Sequence, residues 1–173
     1  MNRIRLGPVV QVCWYVNDIE SAMRRWIDEQ GVGPFYIHRH MALQNVVYRW
    51  QPSEVDFDLA IAHSGGIQIE LIQQHDDRPS VFRELFPGPA EGFHHICYIV
   101  DDLQEAIAHF ERLNQPLCLS ARLGPIDFAY SDTRAGIGCL TELVSRRPEV
   151  EAIFKMVADA AIDWDGKDPI RAL

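Results

Sequence analysis

Apolar side chains crowd positions 9–16, where β-branched and aromatic residues predict a strand, and Asn17-Asp18 then offers a helix N-cap. Ile19, Met23, Trp26 and Ile27 follow at helical spacing until Gly31-Val-Gly33-Pro34 ends the run. The same pattern returns later in the chain. Residues 93–100 read as a strand, and Asp102-x-x-Glu105 has the form of a capping box with Asp as the cap. Leu103, Ala106, Ile107 and Phe110 make the buried stripe of a helix that closes near Asn114-Gln115-Pro116. Short strands are predicted after each helix, over residues 35–40, 46–50, 55–62 and 67–74 in the first part and 117–123, 127–131 and 138–145 in the second. Gly65-Gly66 reads as a hairpin turn.

The two parts are one sentence written twice. Residues 11–26 lie over residues 95–110 without a gap, with Cys13/Cys97, Val16/Val100, Asp18/Asp102 and Ala22/Ala106 identical. Such a repeat means a duplicated half-domain. Each half reads as a βαβββ unit, and the fold class is α+β. The halves also end alike, on Ile67-Gln-Ile-Glu70-Leu-Ile and Gly138-Cys-Leu-Thr-Glu142-Leu-Val, although the second copy is about twelve residues shorter between helix and final strand. A single domain is expected across residues 1–173: module one about 9–74, a linker over 75–91, module two about 92–146, and a C-terminal helix and tail over 148–173. The linker carries a candidate helical turn at 80–85. Val150, Ile153, Phe154, Val157 and Ala161 give the last helix its apolar stripe, and Trp164 in the tail is expected to pack onto the body or a second subunit.

Composition narrows the picture modestly. Apolar content of 47% and charged content of 24% are those of an ordinary globular domain. A net charge of −9 leaves no basic patch for phosphates, which argues against nucleic-acid binding. Cys13, Cys97, Cys118 and Cys139 form no CxxC; Cys13 and Cys97 read as small buried hydrophobes, suited to a reducing compartment. With no signal peptide or membrane-spanning run in the sequence, a cytoplasmic location is expected and no membrane partner. Walker, GxGxxG, GxSxG and HExxH motifs are also absent from the sequence.

The candidate chemistry lies in polar residues that interrupt the strands. Gln11 and His95 stand early in the first strand of each half, Glu70 and Glu142 in the last. By strand alternation Gln11 shares a face with Cys13 and Tyr15, His95 with Cys97 and Ile99, Glu70 with Gln68 and Ile72, and Glu142 with Leu140 and Val144. A glutamate in apolar company is expensive to bury unpaired. A divalent cation would offset that cost, since an imidazole, an amide oxygen and two carboxylates make a mixed N/O site. Singly, each of these residues reads as solvent-facing or as a satisfied core group; their correspondence between the copies carries the signal.

The repeated halves, the motif His94-His95-Ile-Cys-Tyr-Ile-Val-Asp-Asp-Leu and the terminal strands Ile-Glu-Leu-Ile and Thr-Glu-Leu-Val resemble the vicinal oxygen chelate superfamily. That group holds glyoxalase I, methylmalonyl-CoA epimerase, extradiol dioxygenases and the bleomycin and fosfomycin resistance proteins. The resemblance runs from about residue 9 to residue 144 and implies a cupped mixed sheet around one divalent metal (Zn, Ni, Co, Mn or Fe). One ligand comes from the first and last strand of each half, which maps onto Gln11, Glu70, His95 and Glu142. His95 rather than His94 is chosen because it stands before Val100 as Gln11 stands before Val16. One His in the set speaks against extradiol iron chemistry. The set matches glyoxalase I, while the surrounding sequence is nearer the epimerases.

The resemblance therefore implies proton abstraction next to a carbonyl with a metal-stabilised enediolate, by an isomerase, epimerase or lyase. Glu142 is the first choice as base and Glu70 the second, acting on the opposite face. Glu54 is a loose candidate for a further glutamate. The alternatives are glyoxalase I proper and a metal-free small-molecule-binding protein of the resistance type. A CoA thioester or a glutathione adduct is the candidate substrate, and a homodimer is expected. His38 and His40 share a strand face and are candidate pocket or metal residues, with a surface role the plainer reading. His63 and His75 lie by turns, and Arg24-Arg25 and Arg146-Arg147 are candidate contacts for an anionic substrate.

Overall fold

The computed structural model describes residues 4–173. The first half runs β1 (Gln11–Tyr15), α1 (Ile19–Gln30), β2 (Phe35–His38), β3 (Gln44–Tyr48), β4 (Gln51–Pro52), β5 (Phe57–Ser64) and β6 (Ile67–Gln74). A short α2 (Val81–Leu85) follows. The second half runs β7 (Gly92–Val100), α3 (Leu103–Arg112), β8 (Leu117–Leu123), β9 (Ile126–Ser131), α4 (Arg134–Ile137) and β10 (Leu140–Ser145), and α5 (Pro148–Ala161) and β11 (Ile170–Ala172) close the chain. Both long N-terminal caps are those that the sequence predicts. Asp18 accepts from the Ser21 amide at 3.0 Å and Asp102 from the Glu105 amide at 2.9 Å. α1 ends on Gly31, whose φ of 65° is the left-handed conformation that a side chain resists.

The strands form one curved, unclosed mixed sheet in the order β11-β2-β5-β6-β1-β7-β10-β9-β8-β3-β4. At its centre β1 and β7 meet antiparallel, flanked by β6 parallel to β1 and β10 parallel to β7. The registers put Gln68, Gln11, Cys97 and Glu142 abreast in one row, and Glu70, Cys13, His95 and Leu140 in a second. A half-turn about an axis between the rows exchanges Gln11 with His95, Cys13 with Cys97 and Glu70 with Glu142. The duplicated sequence has become a pseudo-twofold.

Three apolar clusters hold the layers. On one face α1 packs Ile19, Ala22 and Met23 against Ala60, Ile69 and Leu71 of the first half. In the second half, Ala106, Ile107 and Phe110 of α3 pack against Ala129 and Leu143. The opposite face gathers Cys13, Tyr15, Phe57, Phe82, Leu119 and Tyr130 from both halves into one cluster. Burial on this scale supplies the driving force for the fold. Among the described residues no helix is long and apolar enough to cross a membrane.

The strand expected over residues 46–50 does not join its own half. β3 pairs with β8 and β4, extending the far edge of the second half. The reason lies in β2, which pairs with β5 on one side and β11 on the other, so the first half offers β3 no edge. The strand expected from residue 138 starts at Leu140, because α4 precedes it and Gly138 caps that turn with φ 82°. The tail docks on the body. β11 was not predicted from the sequence, and a Cβ on Gly33 would lie 2.6 Å from the Trp164 ring, so the indole requires glycine there.

Candidate metal centre

Gln11, Glu70, His95 and Glu142 converge on one face of the four central strands, all of them buried. His95 Nε2 lies 3.3 Å from Glu70 Oε2 and 3.3 Å from Glu142 Oε2. One ligand atom each from Glu70, His95 and Glu142 falls within 4.8 Å of the others. Gln11 Nε2 donates to Gln68 Oε1 at 2.6 Å and to Glu70 Oε1 at 3.2 Å. All four residues singled out from the sequence are thus brought together.

His94 determines what His95 can do. Its Nε2 lies 3.3 Å from the Val81 carbonyl, which only accepts, so that nitrogen carries the hydrogen. Burial, reinforced by the charge of His95, holds His94 well below the ordinary histidine range, so the ring is neutral and its Nδ1 accepts. His95 Nδ1, 2.8 Å away, therefore donates. That leaves His95 Nε2 facing two carboxylates with either a lone pair or an added proton.

With a lone pair there, three acceptors face one another, and only a cation reconciles them. The protonated form is one answer: burial alone would lower His95, but Glu142 and Glu70 raise it to about 9. Burial alone would raise Glu142 too, yet His95 holds it below the usual carboxylate range, while burial keeps Glu70 above that range. A divalent metal is the other answer, and the donor set fits it. His95 Nε2 and Glu70 Oε2 are buried without a hydrogen-bond partner among the described residues. An imidazole nitrogen held by its other N–H, beside two carboxylates and an amide, is a mixed N/O set of the kind that zinc, nickel, cobalt, manganese and iron accept.

Sequence reasoning set His94 aside in favour of His95, whose place before Val100 matches that of Gln11 before Val16, and so gave His94 no role at the site. The register of β1 on β7 jumps from Cys13↔His95 to Trp14↔Phe93, leaving His94 as the extra residue of a bulge. That irregularity lets the two rings meet. The adjacent His94-His95 pair was the available signal; that Phe82 and Tyr130 pack their rings on His94 shows only in the fold.

A cavity of about 470 Å³ adjoins the cluster, and Gln11, Gln68, Glu70 and Glu142 help to line it. Most of the remaining lining is apolar, and α5 contributes Ile153 and Phe154. His38 reaches this cavity, but Arg24, Arg25, Arg146 and Arg147 do not. Arg146 instead pairs with Asp101 at 2.5 Å and Glu151 at 3.0 Å. Glu54 is not in the site; its exposed carboxylate pairs with Arg78 at 2.8 Å. His40 and His75 meet at Asp58, which accepts from Arg39 at 2.7 Å, the His40 amide at 2.9 Å and His75 Nε2 at 2.8 Å. Asp58 is satisfied by the protein, so this second cluster reads as a structural clasp. His63 sits half-buried near the end of β5.

The profile of the glyoxalase/bleomycin resistance protein/dioxygenase superfamily matches residues 10–130. Among solved structures, methylmalonyl-CoA epimerase from Mycobacterium tuberculosis is similar at 18% identity and TM-score 0.56, covering 87% of this chain and 97% of that one. A hypothetical protein from Bacillus halodurans is similar at 16% identity and TM-score 0.58, covering 81% and 94%. A Streptomyces coelicolor methylmalonyl-CoA epimerase variant in complex with 2-nitronate-propionyl-CoA is similar at 18% identity and TM-score 0.54, covering 82% and 98%. No curated protein sequence matches the chain at a significant level.

Proposed function

This chain belongs to the glyoxalase/bleomycin resistance protein/dioxygenase superfamily, and we propose that within it the chain is a divalent-metal-dependent isomerase, epimerase or lyase. Its reaction would remove a proton from the carbon next to a carbonyl. One observation carries this reading: a buried imidazole, held at Nδ1 by His94, whose Nε2 is aimed at two carboxylates beside a ligand-sized cavity. Gln11, Glu70, His95 and Glu142 would hold the metal. When bound, it would supply Lewis-acid polarisation of the substrate carbonyl.

The residues of the chain do the rest. Glu142 takes the proton, as the carboxylate held ionised and open to the cavity. Glu70, related to it by the pseudo-twofold, is placed to return a proton on the opposite face. His94 keeps the His95 ring oriented, and α5 shields the cavity from water. The epimerases among the structural neighbours support the fold at 18% identity; the metal rests on the donor set, and the reaction class on the family resemblance together with that set.

A metal-free binding protein is the second reading, favoured by the two carboxylates that raise His95 to about 9, so that an imidazolium stands against both without a metal. Metal analysis separates the two. The purified chain should hold about one divalent ion, and His95→Ala and Glu142→Ala should each abolish it. Protein that never takes up metal, or variants that keep it, would move the reading to the binding protein. We further propose a homodimer, which light scattering would refute by a monomer mass. α5 gives that assembly less support than its stripe suggests, since it seats on β5 and β6 of its own chain.

A further inference from the structure

We infer that the cavity takes a neutral, largely apolar carbonyl compound whose oxygen accepts a hydrogen bond from Gln68, rather than a CoA thioester or a glutathione adduct. The carbonyl rests on the proposed reaction; the charge and polarity of the ligand rest on the cavity itself.

The lining comes first. Phe57, Ile61, Leu119, Phe128, Ile153 and Phe154 present rings and branched chains from both halves and from α5. At about 470 Å³ the space is that of a pocket for a drug-sized molecule. None of the described lining residues is Lys or Arg, whereas Glu70, Glu142 and the exposed Glu149 are carboxylates. Nearby arginines are committed elsewhere: Arg39 to Asp58 and Glu20, Arg49 and Arg134 to Glu84 and Asp132. The chain as a whole carries −9. A phosphate or a glutathione carboxylate would enter an apolar space that offers it no lysine or arginine, and the charge of a metal there would already be matched by Glu70 and Glu142, so its burial is costly.

Gln68 then specifies where the ligand must be polar. It is 1% exposed and lines the cavity, and its Nε2 has no hydrogen-bond partner among the described residues. Its Oε1 is held by Gln11 at 2.6 Å, so the amide is anchored at its oxygen while its N–H₂ is left over. Across the pseudo-twofold its counterpart is Leu140, so nothing in the duplicated frame demands an amide there. A buried donor left over beside a metal-type cluster calls for an acceptor from outside the protein. A ketone, ester or similar oxygen on an otherwise apolar skeleton supplies it.

The test is displacement of the uncharged fluorophore N-phenyl-1-naphthylamine from the metal-loaded full chain. Competitors are neutral aryl and alicyclic ketones, the same skeletons without the oxygen, acyl-CoA thioesters and S-acylglutathiones, with solvent-deuterium exchange followed in parallel. Neutral ketones should displace the probe, and both conjugates should be at least about tenfold weaker. Gln68→Leu, which copies the residue across the pseudo-twofold, should cut the preference for ketone over deoxygenated skeleton by about 3- to 10-fold. Phe154→Ala, on the half-buried surface of α5, should weaken all neutral ligands about tenfold. Conjugates that match or beat the ketones, a preference unmoved by Gln68→Leu, or a folded protein that binds neither probe nor ketone would each overturn the inference. Ketone binding without exchange of any compound would sink the enzyme reading and leave this one standing. Exchange of a thioester by protein that ignores neutral ketones would do the reverse.

Discussion

Across the axis between β1 and β7, Glu70 stands beside Cys13 as Glu142 stands beside Cys97, yet Gln11 and Gln68 occupy the places that the second half gives to His95 and Leu140. The shared positions are those that set strand register and bury small side chains. The two glutamates at the candidate site are shared as well; the positions that differ beside them are the two pairs Gln11/His95 and Gln68/Leu140. One half thus brings the imidazole and the other brings two amides. The loops diverge as well: the first half extends into the β3–β4 hairpin, and the second inserts α4 where the first has Gly65-Gly66. These extensions meet. Arg49 and Arg134 both reach Glu84 of α2 and Asp132, at 2.6 and 3.0 Å and at 2.8 and 2.5 Å respectively. Duplication supplied a symmetric scaffold; departures from symmetry supplied a polarised site and a clasp.

The sharpest way to break the comparison is to remove the same charge from each half. Glu142→Gln keeps an oxygen for a metal but removes the base, so deuterium exchange next to the carbonyl should fall by about two to four orders of magnitude with metal retained. Glu70→Gln should lose less. Equal losses would mean that the two glutamates act alike. The scaffold itself should behave symmetrically: Leu71→Ala and Leu143→Ala, equivalent and fully buried, should each cost about 2–5 kcal/mol by chemical denaturation. A large inequality would show one half to carry most of the stability.

A smaller effect concerns His94, whose first-half counterpart is Val10. His94→Val should weaken metal binding by about 10- to 100-fold in a chelator competition, because His95 loses the acceptor that fixes its ring. Unchanged affinity would remove His94 from the site. The smallest effect belongs to the loop clasp. Arg134 above all, with Arg49, holds Asp132 down to about 2, below its unfolded value of about 3.9. Its contribution is therefore complete above about pH 4 and lost as pH falls through about 2. Asp132→Asn should remove about 1–2 kcal/mol of that acid-dependent stability, read as the difference between wild-type and variant denaturation curves from pH 4.5 to 2. Parallel curves would show that the clasp does not distinguish the second half.

Much of this was legible in the chain. Caps at Asp18 and Asp102, the two helices, most of the strands and the four converging polar residues follow from local periodicity and from the repeat. Gln68 was visible only as company on the face of Glu70; its orphaned N–H₂ depends on the rotamer that Gln11 imposes. β3 was legible as a strand but not as a neighbour of β8, since pairing between distant segments leaves no mark on the periodicity of either. α5 showed its apolar stripe, but not the surface that would cover it.

The sequence by itself therefore determined the duplicated unit, its two long helices and most of its strands, and which residues share a face wherever a strand is regular, because these depend on spacing along the chain and on backbone alternation. The tertiary structure alone decided three things: the bulge that turns His94 toward His95, the seating of α5 over an apolar cavity, and the partner of β3. Each rests on contacts between residues far apart in sequence, where a register shift of one residue redirects a side chain. The same four polar residues on flat, separate sheets would be solvated and unremarked. Drawn into one buried row-pair, they leave His95 Nε2 and Glu70 Oε2 without a hydrogen-bond partner among the described residues.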